Sequence, residues 1–260
     1  MPLLLDLYRR ERLLMRYSVA MCALLVVAAG LWLLDERLVR DVNVWAKPMK
    51  FMAATCAFAA TTAVFLALLP EPARSRRGVQ AMVWVLIGTS AFEVGYITWQ
   101  GALGQGSHYN VSSPVLGMMF GLMAAAAAGL TATQAYLAWV VKQNGLTWGS
   151  PVFVQSVVAG LVLTFVLATV SGFMLGGLQP PAGQGWPIVG WHMAGGDARP
   201  AHFLGVHAHQ ILPMLGLALM YIQGRWLAPM AAQRLLYGGV AVYVLAWAWL
   251  SAIALAVGRV

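Results

Sequence analysis

The chain of 260 residues is 61% hydrophobic and 9% charged, where a soluble domain carries about 25% charged residues. So few charged side chains cannot cover a soluble surface, which leaves a polytopic membrane protein. The net charge of +8 then reports topology rather than a nucleic-acid partner, because Lys and Arg gather on the cytoplasmic side of a membrane.

The N-terminal stretch LLLDLYRRERLLMRY mixes apolar and basic residues. It reads either as a short amphipathic helix on the lipid surface or as a cytoplasmic extension of the first span. The apolar run after it ends in DERLVR with no small-residue cleavage site, so it is a retained span and not a signal peptide. Seven runs can cross about 30 Å of hydrocarbon at roughly 20 residues each. They cover residues 17–34, 49–69, 79–99, 114–140, 152–177, 201–223 and 234–257. The predicted fold is an all-α transmembrane bundle, a single integral membrane domain over 1–260 with residues 1–16 cytoplasmic. Cys22 and Cys56 fall in different spans at different depths, and are expected to pack as small residues rather than form a disulfide. Pro48 suits the first turn of the second span. Ser112 or Ser113 can cap the fourth ahead of Pro114. Gly117-x-x-x-Gly121, Gly172-x-x-x-Gly176 and the run Ala124–Ala128 signal close helix packing. The seventh span carries no lysine, which argues against a retinal Schiff base.

The connector charges sort by side. Arg9, Arg10, Arg12, Arg16, Arg74, Arg76, Arg77, Lys142, Arg225 and Arg234 share one side. Arg37, Arg40, Lys47, Lys50, Arg199 and Arg259 share the other, partly offset by Asp35, Glu36, Asp41 and Asp197. Ten against six places the N-terminus in the cytoplasm and the C-terminus outside.

On this topology all five histidines map to the outer side. Glu93, the one acidic residue inside a span, lies about 10 Å below the outer end at Gln100, and His207 lies roughly 8 Å below His202. An ionisable residue buried in a membrane helix is by default a functional-site hypothesis. Its partners are sought among His207, His108, Lys47, Lys50 and Arg199. At 100° per residue His202 and His209 share a face, whereas His207 points roughly 140° from His202 and sides with Gln210. The expected inward face bears His207 and Gln210, with His202 at the rim and His209 elsewhere. Tryptophans read mostly as interface belts.

Three motifs, WAKPMKF (45–51), GQGSHYN (104–110) and GDARPAHFLGVHAHQ (196–210), together resemble a family of uncharacterised bacterial multi-pass inner-membrane proteins. The resemblance covers most of the chain. It includes Trp45, Lys47, Pro48, Lys50, Glu93, Ser107, His108, Asn110, His202, His207 and Gln210, and leaves out His192 and His209; Tyr109 stands where the family carries Phe. It implies a bacterial inner-membrane location and a shared outer-face site, but no activity. The leading expectation is a metal-dependent membrane enzyme in which Glu93, His108, His202 and His207 hold zinc or iron and leave a position open for water. Lys47, Lys50, Asn110 and Gln210 would line that site and bind the cofactor or ligand. The alternative is a redox protein. A bis-histidine haem fits poorly because only the sixth span carries histidines, but a quinone-like molecule or lipid headgroup needs no such pairing. A carrier would place its site nearer the midplane. A structural subunit is the fourth reading.

Overall fold

The computed structural model describes residues 8–187, 189–192 and 195–257. Its helices are α1 (Arg12–Leu34), α2 (Ala46–Ala67), the short α3 (Glu71–Arg74), α4 (Arg77–Ala102), α5 (Pro114–Asn144), α6 (Pro151–Gly177), α7 (Arg199–Ile222) and α8 (Pro229–Val257). Seven of these are long and apolar enough to cross a membrane, so the protein is an integral membrane protein with an all-α fold. The seven long helices overlie the seven apolar runs; most reach beyond the run by up to five residues, while α2 and α7 stop one or two residues earlier. Helical hydrogen bonding continues into the polar interface, where the apolar run has already stopped. Local chemistry sets several starts. The Glu11 carboxylate accepts from the Leu14 N–H at 3.4 Å, Ser113 Oγ accepts from the Leu116 N–H at 3.3 Å, and Pro114, Pro151 and Pro229 open their helices with a residue that has no N–H to leave unsatisfied.

The chain forms two compact units. The first contains residues 8–67, 83–130, 181–187 and 189–192; the second contains 68–82, 131–180 and 195–257.

In the first unit α1 and α2 are antiparallel neighbours joined by residues 35–45. This connector holds a two-stranded hairpin, β1 (Leu38–Val39) with β2 (Val42–Asn43). Its turn residues Arg40 and Asp41 both take positive φ (53° and 65°), the geometry of a type I′ turn. Sequence reading missed it because Arg-Asp lacks the Asn-Gly signature of such turns. The hairpin is clipped by Asp35, whose carboxylate accepts from Arg37 Nη2 at 2.7 Å and from the Trp45 indole N–H at 2.9 Å. Arg37 also donates to the Ala102 carbonyl at 3.1 Å and so reaches the end of α4. The Arg37 guanidinium, and after it the Trp45 indole, hold the Asp35 carboxyl well below its ordinary value of 3.8. A depressed folded-state pKa gives a contribution that is present above the unfolded value and lost as pH falls toward the folded one. The clip is therefore expected to persist from neutral pH down to about 4 and to loosen below that. The Trp45 indole N–H resonance checks this: it should shift on acidification below about pH 4, and Asp35→Asn should abolish the step. A resonance that titrates near neutral pH would contradict it.

Cys22 and Cys56 are joined in a disulfide, with Cα atoms 5.8 Å apart, which corrects the expectation of two packing thiols. The error lay in depth. The connector makes α1 and α2 antiparallel, so Cys22, twelve residues before Leu34, and Cys56, ten after Ala46, lie about 18 and 15 Å from the same end. Denatured protein is expected to take up no maleimide before reduction and two equivalents after it. Label at either cysteine without reductant would contradict the bond. Losing it by Cys56→Ala should cost up to about 4 kcal/mol for residues so spaced.

In the second unit α6 and α7 pack closely and antiparallel. A β-carbon placed on Gly205 would lie 2.7 Å from the Ala168 nitrogen, and one on Gly160 would lie 2.9 Å from the Ala208 carbonyl oxygen. One on Gly216 would overlap the Ser156 side chain. These are the close approaches, and not the two Gly-x-x-x-Gly motifs singled out in the sequence. Gly121 and Gly176 have open space where a side chain would go, and Gly117 and Gly172 meet only side-chain atoms at 3.9 and 3.7 Å. Small residues permit close packing, but the partner surface decides which of them is used.

Candidate functional site

The first unit gathers basic, aromatic and acidic groups near its hairpin end. Lys47 and Phe51 share one face of the first turns of α2 by their i, i+4 spacing. The Lys47 ammonium lies 5.9 Å from the Phe51 ring centroid, within cation–π range. The His108 ring packs against the same Phe51 at 6.2 Å and against Phe120 at 5.9 Å, and Tyr109 meets Phe120 at 5.2 Å between centroids. His108 Nδ1 is 3.2 Å from Ser107 Oγ. The loop presenting His108 is held by Asn110. Its Nδ2 donates to the Gly106 carbonyl at 3.3 Å, and its Oδ1 accepts from the Ser112 hydroxyl at 2.8 Å, an Asx-type turn. Tyr109 sits at φ 58°, a left-handed conformation that bulky side chains avoid and that clusters at ligand-binding segments. Asn110 is thus committed to shaping the loop.

Glu93 is buried, 8% exposed, nine residues before the end of α4 or about 14 Å along the helix. One turn before it, Ser90 Oγ bonds the Tyr17 hydroxyl at 2.8 Å, so this face of α4 meets α1. Lys50 is engaged elsewhere, its Nζ donating to the Val189 carbonyl at 2.9 Å. With the Gly183 N–H donating to the Arg40 carbonyl at 3.2 Å, this ties the segment 181–192 to the hairpin end. His192 Nε2 lies 3.3 Å from the Gly183 carbonyl within that segment.

In the second unit the histidine-rich start of α7 faces α6 differently from the expectation. His202 and His209 do share a face, as their spacing requires, and this face packs on α6, with His209 buried and His202 half-buried. His209 is 0% exposed. Its backbone N–H donates to Thr164 Oγ1 at 2.9 Å, and its Nδ1 lies 3.0 Å from the Val206 carbonyl and 3.2 Å from Thr164 Oγ1. A nitrogen facing a carbonyl carries the proton, so Nδ1 is the donor here. One heptad earlier, His202 Nδ1 lies 3.1 Å from Ser171 Oγ, a hydroxyl that itself donates to the Leu167 carbonyl at 2.6 Å. Thr164 and Ser171 are also seven residues apart, so two histidine–hydroxyl pairs join the helices. Pro213, inside α7, has no N–H for the His209 carbonyl four residues back. His207 and Gln210, assigned the inward face from sequence, are half-buried and bonded to each other through Nδ1 and Oε1, with His207 4.2 Å from the Phe203 ring. Thr164→Val should lower stability by about 0.6–1.7 kcal/mol, the range for membrane hydrogen bonds. An unchanged melting temperature would reduce the pair to incidental contact.

The predicted metal ligands divide between units: Glu93 and His108 lie in the first, His202 and His207 in the second. Among the described residues no three His, Cys, Asp or Glu side chains gather as a metal-binding group. Arg199, considered as a partner for Glu93, forms a bidentate ion pair with Asp197, Nη2 to Oδ2 2.7 Å and Nε to Oδ1 2.8 Å. Sequence reasoning missed Phe51, Phe120, Thr164 and Ser171. For the last two a signal existed, since their spacing repeats that of His202 and His209; the aromatic pair had none. No family model, curated protein or solved structure matches the chain.

Proposed function

We propose that this integral membrane protein binds a quinone-like amphiphile at the hairpin end of its first unit, on the outer face of a bacterial inner membrane. One observation carries the reading: the Lys47 ammonium lies over the Phe51 ring and the His108 ring packs against the same Phe51. A quinone head offers two carbonyl oxygens and a flat ring. Lys47 and His108 supply donors for the oxygens, and Phe51, Tyr109 and Phe120 supply faces for the ring. The isoprenoid tail stays in lipid. The excess of Lys and Arg on the other connectors supports the outer placement. The metal-dependent reading would need ligands that the described residues do not bring together.

Titration of the purified protein in nanodiscs with a short-chain benzoquinone, followed by tryptophan quenching, should give saturable binding at about micromolar Kd. Stoichiometric zinc or iron on elemental analysis, with no saturable quinone binding, would overturn the proposal in favour of the metal reading.

A further inference from the structure

The first unit also carries a pair of redox-capable groups that the hairpin-end site does not use. Cys22 and Cys56 are the only cysteines of the chain. Their bond lies about 18 and 15 Å from the hairpin end of α1 and α2, near the middle of about 30 Å of hydrocarbon. The pair is not enclosed: Cys22 is exposed and Cys56 half-buried. Val19 and Val26, three residues before Cys22 and four after it, are 62% and 72% exposed on the same face of α1. On a membrane-crossing helix this apolar face meets lipid, so Cys22 stands at the lipid boundary.

Depth and exposure limit what can make the bond. The two sulfurs meet only once both spans lie side by side, so the bond forms within the bilayer. Thiol–disulfide exchange needs a thiolate to reach the sulfur that it attacks. Glutathione and protein dithiols work from water, and carrying their charged groups to mid-bilayer is costly. An oxidant that reaches Cys22 must dissolve in lipid and accept two electrons. We infer that a quinone dissolved in the bilayer makes the Cys22–Cys56 bond, approaching from the lipid side of α1. Both S–H bonds break and one S–S bond forms. Two electrons and two protons pass to the quinone, whose carbonyl oxygens become the hydroxyls of a quinol. Reactants and products are neutral, so no charge is left in hydrocarbon. Ser18 Oγ, which donates to the Cys56 carbonyl at 2.9 Å, lies 3.5 Å from Cys56 Sγ and offers that sulfur a polar contact as its proton leaves. The reaction shares the class of its oxidant with the hairpin-end site, but none of its residues.

The test uses the full-length protein, reduced in detergent, freed of reductant and placed in nanodiscs without oxygen. A decyl-substituted benzoquinone, which partitions into lipid, should remove both thiols and yield one quinol per chain. A sulfonated benzoquinone carries the same ring but stays in water, and should act at least about tenfold more slowly, since its charge must enter hydrocarbon. Cys22→Ser should yield no quinol. Thiols that persist with the decyl quinone would overturn the inference. So would equal rates with the two quinones, oxidation by air alone as fast as by the decyl quinone, or quinol formed by Cys22→Ser. The unmodified protein decides the matter even where the variant fails to fold. Tryptophan quenching of the same sample reports the hairpin-end site separately. Saturable quenching without thiol loss sinks the thiol reaction alone, and thiol loss without saturable quenching sinks that site alone.

Discussion

Gly205→Leu is expected to separate α6 from α7 and to cost far more stability than the same substitution at Gly176. Any side chain at position 205 would meet Ala168 and Leu167 backbone atoms, within 2.7–2.9 Å of its β-carbon. Backbone cannot rotate away as a side-chain tip can, so the helices must move apart. That movement also breaks the His209–Thr164 and His202–Ser171 pairs, which depend on the same spacing. Overpacking alone costs about 1–3 kcal/mol, and each lost membrane hydrogen bond adds about 0.6 kcal/mol. A combined loss of about 3 kcal/mol lowers a melting temperature by roughly 6–12 °C in a chain of this size. Gly176→Leu is the control: nothing lies within 4 Å of a β-carbon there, and the melting temperature should stay within about 1 °C. Thermal unfolding of the two variants followed by size-exclusion fluorescence measures both. Equal losses would show that the close approach at Gly205 does not hold the helices together.

Lys47→Met and His108→Phe should each weaken quinone binding while leaving the fold intact. Methionine keeps the apolar stem of lysine against Phe51 and removes the ammonium. Phenylalanine keeps the ring packing on Phe51 and Phe120 and removes both ring nitrogens. A lost charge-assisted hydrogen bond is worth about 1.5–3 kcal/mol, or roughly ten- to a hundredfold in Kd. A hydrogen bond from the His108 ring is worth about 1 kcal/mol, or roughly fivefold in Kd. Asn110→Ala should act through the loop, since its amide bonds Gly106 and Ser112. It should weaken binding and also raise the mobility of residues 106–112 in hydrogen exchange, a change His108→Phe should not produce.

The spans were legible because a membrane helix announces itself by composition: about 20 consecutive apolar residues have no other use. The polar residues were legible as exceptions to that composition, so Glu93, Lys47 and His108 stood out. Which way a helix faces was not legible. The angular relation between His202 and His209 follows from helix geometry alone, but the choice between burying His209 and burying His207 depends on α6, where Thr164 and Ser171 supply the matching hydroxyls. The disulfide was missed for a related reason. Depth was judged along each span separately, while the hairpin at 38–43 sets α1 and α2 side by side. The glycines were misjudged because Gly-x-x-x-Gly describes one helix, and close approach belongs to two.

The ligand site at the hairpin end of the first unit is tested most directly by photoaffinity labelling with an azido-substituted short-chain quinone, mapped by peptide mass spectrometry. Covalent label is expected within residues 45–56 and 103–120, the segments carrying Lys47, Phe51, His108 and Phe120, and should be lost in the presence of excess unlabelled quinone. Label confined to residues 151–177 and 199–222, or spread over all lipid-facing helices without competition, would contradict it.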